Sequence, residues 1–183
     1  MDDSFLISKV VDGNRNAFRL LVLRYQRPIF KFLGGFGIEQ AVVEELAQET
    51  FLRAYRSLSA FDSSKSAFST WLFTIAKHLV LNENARSARR LPHVAVDVDA
   101  ADPVVLETSP ASQLVENAER SGHVRRALQA LPSPLRSALV LAYMKEHSLA
   151  EVAAIEGCSV GAVKSRIYRG KQLLRLRLAG MEE

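Results

Sequence analysis

Ser148-Leu149-Ala150-Glu151-Val152-Ala153-Ala154-Ile155-Glu156-Gly157-Cys158-Ser159-Val160-Gly161-Ala162-Val163-Lys164-Ser165-Arg166 is the stretch that decides the fold. Serine followed three residues later by glutamate is a capping box, in which each side chain satisfies the other's orphan amide at a helix start. Gly157 ends that short helix, since glycine enters the left-handed terminal conformation without a Cβ penalty. Ser159 then caps a second helix that runs from Val160 to about Leu178. Two helices joined by Glu156-Gly157-Cys158-Ser159 have the length and glycine content of a helix-turn-helix, whose second helix enters the major groove of DNA. The same residues contain Gly157-Cys158-Ser159-Val160-Gly161, the pattern of a hydrolase nucleophile elbow. That motif needs a strand before it, and here helical periodicity precedes it. Ser159 is therefore read as a cap, and the chain as no enzyme.

At 100° per residue, Val160, Val163, Ile167, Gly170 and Leu174 of the second helix share one stripe, which is expected to face the domain. Ser165, Tyr168, Arg169 and Gln172 lie opposite, flanked by Lys164, Arg166 and Lys171. Residues 157–181 hold six basic side chains, including Arg175 and Arg177, and no acid. A solvated helix normally mixes signs, because like charges repel. Unopposed cations point to an external polyanion, with arginine and lysine pairing to phosphates or guanine edges. Gly170 costs roughly 1 kcal/mol against alanine in a helix interior.

Working outward, helical periodicity recurs and strand alternation is absent, so the chain is expected to be all-α. Residues 113–130 read as a helix, followed by Ser133-Pro134 as an N-cap with proline in the first turn. Upstream, Phe18, Leu21, Val22, Tyr25, Ile29 and Phe32 form a stripe that Gly34-Gly35-Phe36-Gly37 terminates. Pro28 inside it is expected to kink or split the helix. Val43, Ala47, Thr50, Ala54 and Leu58 form a second stripe. A third runs from Phe68 through Trp71, Leu72, Ile75, Ala76 and Leu79 toward Arg90, with Ser66 as its expected cap.

Between these blocks, residues 91–112 carry three of the six prolines and no Lys or Arg. They read as an extended, flexible linker. Residues 1–90 hold 13 basic and 9 acidic side chains, and residues 116–183 hold 11 and 7. Two basic blocks thus flank an acidic spacer. A pI near 9.4 with clustered cations is the footprint of nucleic-acid binding. The single cysteine, Cys158, excludes a disulfide scaffold and any zinc site with two thiolates. His78, His93, His123 and His147 are too far apart for helical metal-ligand spacing, so neither metal nor cofactor is expected. The acidic start is neither a signal nor a transit peptide, and no apolar run approaches the roughly 18 residues of a membrane helix. A cytoplasmic protein without membrane insertion is expected.

The outer face of the 39–57 helix presents Glu45, Gln48, Glu49, Leu52 and Arg56. A leucine ringed by acids and flanked by Phe51 and Tyr55 is either an ordinary exposed apolar residue or a protein-docking patch. The third helix carries aromatics and cations together, Phe68, Trp71 and Phe73 at its start and Lys77, His78, Asn82, Arg86, Arg89 and Arg90 further along, after the loop Phe61-Asp62-Ser63-Ser64-Lys65-Ser66-Ala67. That mixture suits unstacked bases of a single strand; Trp71, Leu72 and Ile75 read as core.

These residues resemble a family. Val43-Glu44-Glu45-Leu46-Ala47-Gln48-Glu49-Thr50-Phe51, Phe68-Ser69-Thr70-Trp71-Leu72-Phe73-Thr74-Ile75-Ala76, Leu131-Pro132, Arg136, Ala150-Glu151-Val152-Ala153 and Val160-Gly161-Ala162-Val163-Lys164-Ser165-Arg166 are similar, in order and spacing, to motifs of the extracytoplasmic-function (ECF) sigma factors of bacterial RNA polymerase. The resemblance spans about 13–90 and 113–178. It implies two small helical domains joined by a flexible linker, with region 2 in 1–90, the linker in 91–112 and region 4 in 113–183. It implies docking of the core polymerase β′ coiled coil through Glu45, Gln48, Glu49, Leu52 and Arg56. It implies capture of a flipped base of the −10 element by the 61–67 loop and the helix that follows, through Asp62, Ser63, Ser64, Lys65, Ser66, Phe68, Thr74, Lys77, His78 and Asn82. Reading of the −35 element would fall to Ser159, Lys164, Ser165, Arg166, Tyr168, Arg169, Lys171 and Gln172, with contact to the β flap. The linker would thread toward the RNA exit path. An anti-sigma factor partner, a role in stress response and nucleoid association within the holoenzyme also follow from the resemblance. The chain departs from the family pattern at Glu45 (usually aspartate), His147 (commonly glycine), Ala162 (commonly threonine) and Gly170 (usually alanine). Three rivals stay open: a polymerase-independent helix-turn-helix regulator, a hydrolase using Ser159, and an interaction module such as an anti-sigma partner.

Overall fold

The computed structural model describes residues 2–90, 122–144 and 147–179, the side chains of 88–90 excepted. Among these residues there are helices and turns and no strand. The helices are α1 (Asp3–Val11), α2 (Arg15–Gly34), α3 (Gln40–Ser57) with a 3-10 turn at Leu58–Ala60, and α4 (Phe68–Arg90). Helical residues 122–129 form α5. They are followed by α6 (Ser133–Tyr143), α7 (Leu149–Glu156) and α8 (Val160–Ala179). The expected linker, 91–112, and the expected helical residues 113–121 lie outside the described residues.

The α2 stripe does what its spacing dictates: Leu21, Ile29 and Phe32 are fully buried, and Phe18 and Tyr25 pack against the core at its edge. Pro28 does not split α2, which runs as one helix across it. Gly34 is its last residue, and Gly37 takes a positive φ of 73°. The α3 stripe buries Val43, Ala47 and Ala54, and Thr50 turns its hydroxyl back to the Leu46 carbonyl at 2.7 Å. α1, which the sequence reading did not identify, is capped by Asp2. Asp3 pins α1 to α2 through Arg24 and the Tyr25 hydroxyl. Burial, and then that hydrogen bond, push the Tyr25 phenol above its ordinary range.

Two expected caps sit one residue away from where the pattern put them. α4 begins at Phe68, so Ser66 stands one residue ahead of the capping position. α6 begins at Ser133 itself, with Pro132 as its cap residue and no capping side chain. In both cases the chain already turns at the neighbouring residue, and the serine is left flanking the cap. The decisive stretch folds as read. Ser148 and Glu151 close a reciprocal capping box, Gly157 is left-handed at φ 65°, and Ser159 Oγ accepts from the Ala162 amide at 3.2 Å.

The packing of the two helical blocks on each other has no counterpart in the sequence pattern. α4 rests on α7, and Leu141, Met144, Val152, Ala153, Ile155 and Val163 belong to one apolar core with Phe32, Phe73, Ala76 and Val80.

Candidate functional site

The basic face of α8 is built by the turn before it. α6 and α7 hold one side of α8, burying Val163 and Gly170 and half-burying Ile167 and Leu174. Val160, expected in the same stripe, is the first helical residue and is exposed at the open end of the turn. Gly170 has a packing reason: a Cβ there would lie 2.6 Å from Leu139 Cδ1, so α6 and α8 approach more closely than a side chain permits. Lys164, Ser165, Tyr168, Arg169, Lys171 and Gln172 are exposed on the other side, Tyr168 to 66%. Lys171 also stacks its ammonium over the exposed Tyr143 ring at 5.3 Å, adding an aromatic that the sequence reading did not single out.

Arg166 differs from its neighbours. Its guanidinium donates to Glu156 at 2.8 Å, and Ser137 on α6 donates to the same carboxylate at 2.5 Å. The Glu156 side chain is 4% exposed. One buried carboxylate therefore ties α6, α7 and α8 together, and Arg166 is spent largely on that structural tie rather than on a free phosphate contact. Ser159 is exposed, but its hydroxyl oxygen is engaged as the cap of α8.

On α3, Glu45, Gln48, Leu52 and Arg56 are exposed, Leu52 to 43%, and Glu49 is half-exposed with Arg53 paired to it at 2.6 Å. Tyr55 lies beside them, edge-on to Phe18 at 4.9 Å. The result is an apolar centre with a mixed-charge rim.

The 61–67 loop is pre-shaped. Asp62 accepts from the Ser64 hydroxyl at 2.7 Å and the Ser64 amide at 2.9 Å, which hold its carboxyl below the usual range. Phe61 anchors the loop on Trp71 and Phe68 at ring distances of 5.1 and 5.8 Å. Ser63, Ser64 and Lys65 are exposed and Ser66 is half-buried. Beyond the loop the candidates separate. His78 and Asn82 are exposed. Thr74 is half-buried and donates to the Thr70 carbonyl at 2.8 Å. Phe68 is 3% exposed, locked among Tyr25, Phe61 and Trp71, so it is core rather than a stacking platform. Lys77 is 7% exposed and donates to the Ile155 carbonyl of α7 at 2.5 Å. No residue spacing signals that contact, because its partner lies 78 residues away.

Among the described residues no His, Cys, Asp or Glu cluster could hold a metal ion, and no helix is long and apolar enough to cross a membrane. Cys158 is a half-buried free thiol.

Known proteins match along most of the chain. Residues 21–90 match the Sigma-70 region 2 family and residues 122–174 the Sigma-70, region 4 family. The chain is 35% identical over 181 residues to the ECF RNA polymerase sigma-E factor of Salmonella typhimurium, covering 95% of this chain and 93% of that one. It is 35% identical over 179 residues to the RNA polymerase sigma-H factor of Pseudomonas aeruginosa, covering 94% and 91%. The structure of CnrH in complex with the cytosolic domain of CnrY is similar with a TM-score of 0.71 at 28% identity, covering 97% of each chain.

Proposed function

The chain belongs to the ECF sigma factors of the sigma-70 family, and we propose that it binds core RNA polymerase and directs promoter-specific initiation by reading a −35 and a −10 element. The observation that carries this reading is the match to a sigma-E factor over 95% of the chain, regions 2 and 4 included in order. The protein is a recognition factor and not an enzyme. Unstacking a base of the −10 strand costs a few kcal/mol, which contacts in the pocket that receives it offset.

Region 2 occupies 1–90, the linker 91–112 and region 4 113–183. The exposed Glu45, Gln48, Leu52 and Arg56, with Glu49 between them, dock the β′ coiled coil. Region 4 touches the β flap. The 61–67 loop, with His78 and Asn82, receives the −10 strand; Thr74 and Lys77 join it once they are accessible. Ser165, Tyr168, Arg169 and Gln172 face the −35 bases, with Lys164 and Lys171 on flanking phosphates. CnrH forms a complex with the cytosolic domain of CnrY, and a comparable anti-sigma partner is assigned to this chain. Its place is the cytoplasm, at the nucleoid when in holoenzyme. A regulator that acts without polymerase leaves the exposed α3 face without a use.

The test is run-off transcription with purified chain, core polymerase and a genomic promoter library, followed by start-site mapping. Starts sharing two elements, dependent on the added chain, are expected. DNA binding that is indifferent to core polymerase, with no new starts, overturns the reading.

A further inference from the structure

We propose that Tyr143, in the last turn of α6 and outside the helix-turn-helix, positions the Lys171 ammonium for a backbone phosphate beside the −35 element. This rests on the functional reading above. Two helices build the pair. α6 ends at Tyr143, and Lys171 stands just past the middle of α8. Leu139 lies one turn before Tyr143 on the same face of α6, and Gly170 directly precedes Lys171. A Cβ at Gly170 would come within 2.6 Å of Leu139 Cδ1 and 3.5 Å of the Leu135 carbonyl oxygen. The glycine thus lets α6 and α8 approach each other, and the Lys171 ammonium reaches the Tyr143 ring, 5.3 Å from its centroid.

The pair lies at the rim of the exposed α8 face. At 100° per residue, Lys164 and Lys171 fall within about 20° of each other, on one edge of the Ser165, Tyr168, Arg169 and Gln172 side. Arg166 lies on the opposite edge, where Glu156 of α7 takes its guanidinium at 2.8 Å. Phosphate binding therefore falls to the α6 edge, where both lysines are exposed. A lysine ammonium is a point charge on a flexible four-carbon stem. Holding it in place before DNA arrives removes part of the ordering cost of the contact. A carboxylate in place of Tyr143 would hold the lysine too, but it would cancel the charge and repel the phosphate. The ring face attracts the cation through its quadrupole and leaves the positive charge available to an anion. Tyr143 is 62% exposed, so the pair is open to such a ligand. Phosphate contacts fix register and carry no sequence information, so the effect of Tyr143 is the same on every −35 sequence.

The test uses holoenzyme assembled from core polymerase and the full chain, binding a promoter fragment taken from its mapped start sites and single-base −35 variants of that fragment. Tyr143→Ala is expected to weaken binding about two- to fivefold, the scale of an exposed cation–π contact, by the same factor on every fragment. Tyr143→Phe, which keeps the ring face, is expected to restore wild-type binding. In a Lys171→Ala background, Tyr143→Ala is expected to cause no further loss, because the two side chains act as one unit. Undiminished binding by Tyr143→Ala overturns the proposal. So does a Tyr143→Phe variant as weak as Tyr143→Ala, or a full loss that persists in the Lys171→Ala background. Proton NMR of the free chain supplies an independent arm. The ε-methylene protons of Lys171 are expected upfield of those of Lys164 through the ring current of Tyr143, a shift that Tyr143→Phe keeps and Tyr143→Ala abolishes. Coincident Lys164 and Lys171 signals in the wild type overturn the pair. If wild-type holoenzyme binds no promoter fragment while the ring-current shift is present, the functional reading has failed rather than the pair.

Discussion

Arg169 and Lys171 stand two residues apart on the exposed side of α8, and their substitutions are expected to fail differently. A bidentate guanine contact by Arg169 is worth about 1–3 kcal/mol of discrimination. Arg169→Ala should therefore relax preference at one base of the −35 element. Lys171→Ala should weaken binding on all sequences alike and flatten the salt dependence, because fewer counterions are released. Holoenzyme binding to single-base −35 variants at two salt concentrations separates the two, and equal losses for both would place Arg169 on the backbone. Arg166 belongs to a different class. Its removal leaves the buried Glu156 carboxylate with only the Ser137 hydroxyl. Arg166→Ala should cost about 1–3 kcal/mol of stability in urea, toward the lower end because the arginine itself is partly exposed. Glu156→Gln, which keeps an acceptor, should cost less. The α8 face was legible from its 100° periodicity, since exposure there depends only on which side the domain covers. Arg166, Phe68 and Lys77, read as DNA contacts, are instead held by protein partners in this structure. Their roles are set by partners in other elements, and neither residue type nor spacing announces them.

At the scale of single elements, capping chemistry is the most legible feature and also titrates. The Ser148 amide, then its hydroxyl, hold the Glu151 carboxyl below its ordinary value of 4.5. A depressed folded value means the stabilisation is complete above the unfolded value and is lost as pH falls through the folded one. Ser148→Ala should cost about 1 kcal/mol near neutrality, and the gap to wild type in thermal melts should narrow as pH drops below 4.5. A gap constant down to pH 3 would mean that the box contributes nothing through charge. The α3 face gives an element-level test of docking. Leu52→Ala and Glu45→Lys change exposed positions, so helix content by circular dichroism should persist while capture of core polymerase falls. Undiminished capture by both variants would refute the assignment. The capping box, Gly157 and Ser159 were readable because their partners lie within four residues. Ser133 and Ser66 were displaced by one position, since a residue type suited to capping does not say where the chain first turns. Pro28 was read as kinking or splitting its helix, and α2 continues as one helix across it.

Across the whole molecule, the sequence shows two apolar-periodic blocks on either side of an acidic, proline-bearing spacer, and so two domains. It does not show their contact. Complementarity between the Gly35 gap and Val140, or between Lys77 and the end of α7, exists only once both blocks are folded. Because Phe73, Ala76 and Val80 share a core with Val152, Ala153 and Ile155, unfolding of one half exposes apolar surface on the other. The wild-type chain should therefore melt in one cooperative transition. Trp71, the chain's single tryptophan, reports region 2 by fluorescence, and circular dichroism reports helices of both regions, so the two midpoints should coincide. Gly35→Leu places a branched side chain where even a Cβ would come within 2.8 Å of Val140, wedging the halves apart while leaving each core intact. Its two midpoints should separate by about 5 °C or more, the scale on which about 1 kcal/mol moves the melting of a 60–100-residue domain. Coincident midpoints in the variant would mean that Val140 gives way and the interface survives the wedge. Separate midpoints already in the wild type would mean that the shared core does not couple the halves in solution.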